Sequence, residues 1–169
     1  LDAAFGTLEE SVAEISGVLR LMRRAHEAVR MKPLRYRLSL SREGTEKSAD
    51  LLRQGLREQG IPYEEAPGEG AFYGPKIDVQ IADPAGREQT LSTVQIDYFQ
   101  PERFGLSYVD SEQREQRPVI IHRSLLGSME RLVAHLLEIH NGWLPDWCAP
   151  VQVVVLPVHD SQAGAAREF

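Results

Sequence analysis

Apolar and polar positions alternate along this chain with two distinct periods. Over residues 7–30, Val12, Ile15, Leu19, Met22 and Val29 fall near one stripe at helical spacing. Thr7 and Glu10 have the spacing of a capping box, and Pro33 marks the stop. Leu34 to Leu40 alternates with a period of two and predicts a strand with one buried face. A second helix is predicted at about 47–59, closed by Gly60. Pro62 and Pro67-Gly68-Glu69-Gly70 read as a connecting loop.

The centre is β-rich. Lys76–Ala82 alternates as a strand, Asp83-Pro84-Ala85-Gly86 is a turn signal, and Arg87–Tyr98 returns, which predicts an antiparallel hairpin. Short strands are expected near 105–109 and 117–122, joined by the charged turn Asp110-Ser111-Glu112. Leu125–His140 predicts a helix with Leu125, Met129, Leu132, Val133, Leu136 and Leu137 on one side, ended by Asn141-Gly142. After Pro145 and Pro150, Val151–Leu156 reads as a buried strand that opens a new unit, and the chain stops 13 residues later. That arrangement predicts truncation. Regular βαβ alternation is absent, so the class is α+β, an antiparallel β-sheet flanked by helices.

Composition narrows the picture only a little. The 169 residues suffice for one domain with a core, and 42% apolar with 26% charged is ordinary for a globular chain. No apolar run approaches the roughly 18 residues of a membrane span. The start, Leu1-Asp2-Ala3-Ala4-Phe5, carries neither a signal peptide nor an initiator methionine. A single cysteine, Cys148, excludes an internal disulfide framework and fits a reducing, cytoplasmic compartment. The net charge of −6 argues against this segment gripping tRNA, or any phosphate backbone, by itself.

Candidate chemistry gathers on a few side chains. Tyr73 and Lys76 flank Gly74-Pro75, a tight turn that displays both at a cleft rim; the alternative is a solvated turn. Thr93, Gln95 and Asp97 share one strand face, as a polar site wall or as a solvent-exposed face. Gly127-Ser128-Met129-Glu130-Arg131 opens a helix, where small residues let a ligand or strand approach the backbone. Arg131 is placed to stack on a base or pair with a phosphate, or else to cap a core helix from the surface. His122 follows an apolar run, where a histidine is more often a hydrogen-bonded core residue than a ligand. His26, His135, His140 and His159 read as ordinary helix-face or tail residues.

Four segments resemble the threonyl-tRNA synthetase family of class II enzymes, in order and at sensible spacing. They are Gly68 to Asp78, Ser92 to Tyr98, Pro101 to Phe104, and Arg117 to Arg131. The tail from Ala149 to Pro157 resembles the entry into that family's anticodon-binding domain. The resemblance implies a partial class II catalytic domain at 1–147, with motif 3 at about 122–131, then a linker and truncated start of an anticodon-binding-like domain at 148–169. It implies ATP-dependent activation of threonine, with magnesium, and ligation to tRNA. Lys76, Gln95 and Arg131 would be catalytic. Gln95, Gly127, Ser128 and Arg131 would hold the nucleotide, and Tyr73, Lys76, Thr93 and Asp97 the substrate. His122 stands at the position of one of three zinc ligands.

The departures are equally specific. The family's second zinc histidine belongs to an Asp-Ala-His stretch, matched here by Asp2-Ala3-Ala4, so Ala4 takes its place or the histidine is deleted. The cysteine ligand lies upstream of this chain in the family, and one histidine does not hold zinc. Motifs 1 and 2 are absent; motif 2 supplies the arginine that grips the α-phosphate. The stretch Gly44 to Asp50 is shortened, and Leu91 stands where the family often has cysteine. Three readings follow: a synthetase half completed by another segment, a truncated paralog in specialised metabolism, or a non-catalytic binding or regulatory module. An unpaired sheet edge, expected where motif 1 and 2 strands pair, predicts a homo- or hetero-oligomeric partner that covers it.

Overall fold

The computed structural model describes residues 2–7, 10–41 and 46–168. In chain order the strands and helices are β1 (Asp2–Gly6), α1 (Ser11–Ala28), β2 (Arg35–Leu40), α2 (Glu46–Glu58), β3 (Tyr63–Pro67), β4 (Lys76–Ala82) and β5 (Glu88–Asp97). They continue with α3 (Phe99–Arg103), β6 (Tyr108–Val109), β7 (Glu115–Gln116), β8 (Val119–Ser124), α4 (Met129–Ile139) and α5 (Ala163–Glu168). Six strands form one sheet in the order β1-β8-β5-β4-β2-β3, and β6 with β7 makes a separate hairpin. Every pair in the large sheet is antiparallel except β2 with β3. The expected α+β class is what the chain adopts.

Strand alternation gives this sheet two unlike faces. Leu38, Ile77, Val79, Val94, Ile96 and Ile121 point to one side and pack under α1 and α2, against Ile15, Leu19, Met22, Leu52 and Leu56. Each such side chain, fully buried, stabilises the fold by about 1.5–3 kcal/mol. Ser16 on α1 donates to Glu58 of α2 at 2.8 Å and ties the two helices together. Their intervening neighbours Arg37, Ser39, Lys76, Asp78, Thr93, Gln95, Asp97 and His122 point to the other face. The Thr7–Glu10 box forms: Glu10 N donates to Thr7 Oγ1 at 3.1 Å, and Thr7 N donates to the Glu10 carboxylate at 2.9 Å.

One irregularity matters later. β4 and β5 pair in register from Lys76–Gln95 to Val79–Ser92, then resume at Gln80–Thr90. Leu91 is therefore an extra residue, a bulge. Thr90 and Thr93 both face the polar side, while Leu91 and Ser92 both turn toward the helices.

Several expectations change. Tyr63–Pro67 is a strand, parallel to β2, where Pro62 and Pro67 pointed to a loop. Its place at the sheet edge tolerates proline, and Glu64 and Glu65 charge that edge, where they pair with Arg35 and Arg53. Asp2–Gly6 is also a strand, made by pairing with β8. The stretch near 117–122 does not return on 105–109; β8 lies in the sheet between β1 and β5. The last long helix begins at Met129, because Gly127 (φ 74°) and the N-cap Ser128 hold the preceding residues out of helical geometry. Met129, Val133 and Leu137 are exposed and Leu136 is buried against Val29, Met31, Ile81 and Leu91. Val151–Leu156 is extended but unpaired and exposed, for no strand among the described residues lies beside it. Gly44 and Thr45 of the shortened stretch lie outside the described residues. No described helix is long and apolar enough to cross a membrane.

Candidate functional site on the polar face of the sheet

The register of the central strands brings the expected side chains together. Ser39 pairs with Lys76, Lys76 with Gln95, and Gln95 with His122. One row nearer the β4–β5 turn, Arg37 pairs with Asp78, Asp78 with Thr93, and Thr93 with Ser124. Cross-strand partners share a face, so these residues form two parallel polar rows.

The loop before β4 lays Tyr73 over the first row. It does so at Gly74, where an added Cβ would sit 2.0 Å from the Ile96 carbonyl oxygen. The phenol of Tyr73 donates to Gln95 Oε1 at 2.5 Å, and Gln95 Nε2 donates to Thr93 Oγ1 at 3.0 Å. Burial, then the carboxylates of Asp97 and Asp78, push the Tyr73 hydroxyl above its usual range. It is thus a standing donor, and it fixes the amide orientation of Gln95.

Lys76 donates to Asp78 Oδ2 at 2.5 Å, and Ser39 donates to the same oxygen at 2.9 Å. Asp78 is buried, and its Oδ1 has no hydrogen-bond partner among the described residues. Asp78 is the acceptor that aims Lys76. Period-two spacing from Lys76 was the signal for it.

Asp97 is fully buried. Its Oδ2 lies 2.9 Å from His122 Nε2, and its Oδ1 accepts the Gln100 amide at 2.9 Å. Asp97 therefore acts through His122. A carboxylate only accepts, so it holds a hydrogen on Nε2. The Tyr73 ring stands edge-on to His122 at 6.1 Å. Phe72 and Phe99 extend this aromatic string outward, at 5.0 Å from Tyr73 and 5.6 Å from Phe72 respectively, with Arg103 over Phe99.

The carboxylate behind His122 is the support a metal-bound histidine usually has. The ligand count does not match. In the backbone register His122 pairs with Ala3, and Ile121 with Ala4. Neither alanine carries a donor, and no group of three or more His, Cys, Asp or Glu is assembled among the described residues. The described residues around His122 thus do not supply the three protein ligands that a zinc site needs.

Gly127, Ser128 and Arg131 lie at the other end of β5. Ser128 caps α4 and accepts from Arg131 N at 3.3 Å, while Arg131 Nη1 donates to the Thr90 carbonyl at 3.0 Å. Four residues of strand lie between Thr90 and Gln95, which sets them about 15 Å apart. His26 and His135 lie on helix faces, of α1 and α4, and both are buried. A cavity of about 720 Å³ between Gly6, Glu10, Tyr108 and Pro118 includes none of these site residues.

Residues 2–140 match the model of the tRNA synthetase class II core domain (G, H, P, S and T). A threonine–tRNA ligase from Lactiplantibacillus plantarum is 42% identical over 175 residues, covering 97% of this chain and 27% of the relative. The chain thus spans about a quarter of the length of that curated relative. The crystal structure described as the RNA binding domain of threonyl-tRNA synthetase from Cryptosporidium parvum Iowa II superposes with a TM-score of 0.88 at 34% identity. That match covers 98% of this chain and 44% of the other. A putative threonyl-tRNA synthetase from Aeropyrum pernix gives 0.73 at 25% identity, covering 98% and 42%. With the antiparallel sheet, its polar face and the matched residues all in agreement, the chain belongs to the class II tRNA synthetase core-domain family, and threonyl-tRNA synthetases are the members it is similar to.

Proposed function

We propose that the polar sheet face is the amino-acid and nucleotide side of a threonine-activating centre. In this reading the chain binds threonine and ATP and contributes to forming threonyl-adenylate and passing the threonyl group to tRNA. It does so together with segments that carry motifs 1 and 2, and residues 148–169 lead toward an anticodon-binding-like domain. The observation that carries the reading is the bonded set Tyr73–Gln95–Thr93 beside Asp97–His122. Its polar atoms are oriented before any ligand arrives, as an adenylation site requires.

The geometry supports the following roles. Gln95 and Tyr73 face the amino acid, and His122 Nδ1 offers an acceptor to its hydroxyl or ammonium hydrogens. Lys76, aimed by Asp78, offers positive charge to the developing anionic oxygens. Arg131, at the far end of β5, offers a flat cation to the adenine ring or a phosphate. In this reading the α-phosphate grip is supplied by the segments that carry motif 2. Magnesium would arrive with the nucleotide.

A second reading is a paralog that works outside translation, as a specialised-metabolism ligase component or a regulatory module. The single histidine at His122, with Ala3 and Ala4 on the paired strand, favours it over a housekeeping enzyme. Calorimetry with ATP and with a non-hydrolysable threonyl-adenylate analogue tests the proposal. Both ligands are expected to bind the full chain, and Arg131→Ala to abolish the ATP heat. Folded protein that binds neither ligand overturns it.

A further inference from the structure

We propose that the bulge in β5, backed by His26, is the seat that fixes the motif 3 segment, and that His26 and Ser92 are positioning residues for Arg131. This rests on the nucleotide role proposed for Arg131. Three successive residues of the bulge each hold a different part of the segment entering α4. The Thr90 carbonyl accepts from Arg131 Nη1 at 3.0 Å. The Leu91 carbonyl oxygen lies where a Cβ on Gly127 would come within 3.0 Å, and Gly127 has φ 74°. Ser92 donates its hydroxyl hydrogen to the Leu125 carbonyl.

A regular strand would not do this. Its alternation would send only one of Leu91 and Ser92 toward the helices. The bulge sends both. Leu91 enters the small cluster with Leu136 of α4, and Ser92, fully buried, reaches the imidazole of His26 on α1. The His26 Nε2 to Ser92 Oγ distance is 2.7 Å. Because the Ser92 hydrogen is committed to Leu125, His26 must be the donor to Ser92 Oγ. That direction also excludes Ser92 as an activated nucleophile: its hydrogen points away from the base, and its oxygen is shut off from solvent. The relay runs α1 to β5 to the residue just after β8. From that anchored carbonyl the chain makes its left-handed turn at Gly127, caps α4 with Ser128 and delivers Arg131. Gly127 leaves little slack: a Cβ there would sit 3.0 Å from the Leu91 carbonyl oxygen, and its φ of 74° disfavours any side chain.

The test separates seating from general stability. In His26→Leu the donor is lost; in His26→Gln an amide N–H at similar reach keeps it. Amide hydrogen exchange of peptides spanning 125–132 and 76–82 is followed in the full chain, with ATP calorimetry in parallel. His26→Leu is expected to speed exchange in 125–132 by roughly tenfold, the worth of one buried hydrogen bond, with 76–82 unchanged. ATP binding should weaken by about the same factor, and His26→Gln should restore both. Exchange in 125–132 that is unaltered, that rises equally in 76–82, or that Gln fails to rescue overturns the inference. If wild type shows no ATP heat while the exchange pattern holds, the nucleotide reading fails and the seat stands. If His26→Leu binds ATP as wild type while Arg131→Ala does not, the positioning role is overturned. Should His26→Leu not fold, Ser92→Ala, which removes one hydroxyl, is scored by the same exchange criteria.

Discussion

Asp97 and His122 hold each other across the β5–β8 pair, with the imidazole Nε2 2.9 Å from a carboxylate that no solvent reaches. The same carboxylate accepts the Gln100 amide. Asp97→Asn can keep the Gln100 contact through its oxygen only by turning its NH2 toward His122 Nε2, which moves the imidazole hydrogen to Nδ1 and replaces a charged acceptor by a neutral donor. The expected loss is about 1–3 kcal/mol. It should appear as a lower urea midpoint at unchanged m-value. A midpoint equal to wild type would show that the charge is dispensable to the fold.

Tyr73→Phe removes the donor that orients Gln95. Stability should fall by only about 0.5–1.5 kcal/mol, because the ring keeps its edge contacts with Phe72 and His122. Binding of the threonyl-adenylate analogue should weaken by roughly tenfold. If stability drops with no change in binding, Gln95 does not read the ligand.

Gly74 is a steric requirement of the same loop. Gly74→Ala would place a methyl 2.0 Å from the Ile96 carbonyl oxygen. The loop must lift, carrying Tyr73 off Gln95, at a cost of about 1–3 kcal/mol. Gly164→Ala is the control: open space surrounds it, and the change should be within about 0.5 kcal/mol. Thermal melts that treat the two alike would contradict this close approach.

Acid should weaken the fold through His26 and His135. Burial lowers both imidazoles below the ordinary value of 6.5. Above 6.5 both are neutral whether folded or unfolded, and stability is at its full value. As pH falls below 6.5 the unfolded chain takes up protons first, so stability declines until the folded-state values are reached. Arg23, Glu27 and Tyr36 line the cavity beside His26. Urea midpoints measured between pH 8 and 5 should fall on the acid side, and His26→Gln should flatten that fall. A flat wild-type profile would refute the claim.

Local pattern carried much of this fold. The Ile15–Leu19–Met22 stripe, the Asp83–Gly86 turn and the Asn141-Gly142 stop each act within a few residues, so they were legible. β3 and β1 were not, because pairing makes them. Glu64 and Glu65 look like loop residues until β2 lies beside them, and Asp2–Gly6 has no alternation of its own. The site was half legible. Period two placed Gln95 with Asp97, but the partners that aim these groups come from other strands: Asp97 for His122, Tyr73 for Gln95. The Ser92–His26 contact joins residues 66 apart in sequence and depends on one extra residue in a strand.

That extra residue also divides β5 into two segments of opposite parity. Toward its C-terminal end the odd-numbered residues Thr93, Gln95 and Asp97 look out over the ligand face. Before the bulge the even-numbered residues Glu88 and Thr90 do, and Glu88 reaches Arg37 there. Removing Leu91 would join the two segments into one regular strand, with Thr90 and Thr93 still on the same face and every cross-strand partner kept. Only one side chain would then remain turned toward the helices between them. Such a deletion should therefore spare the sheet and its ligand face while loosening the segment that leads into α4.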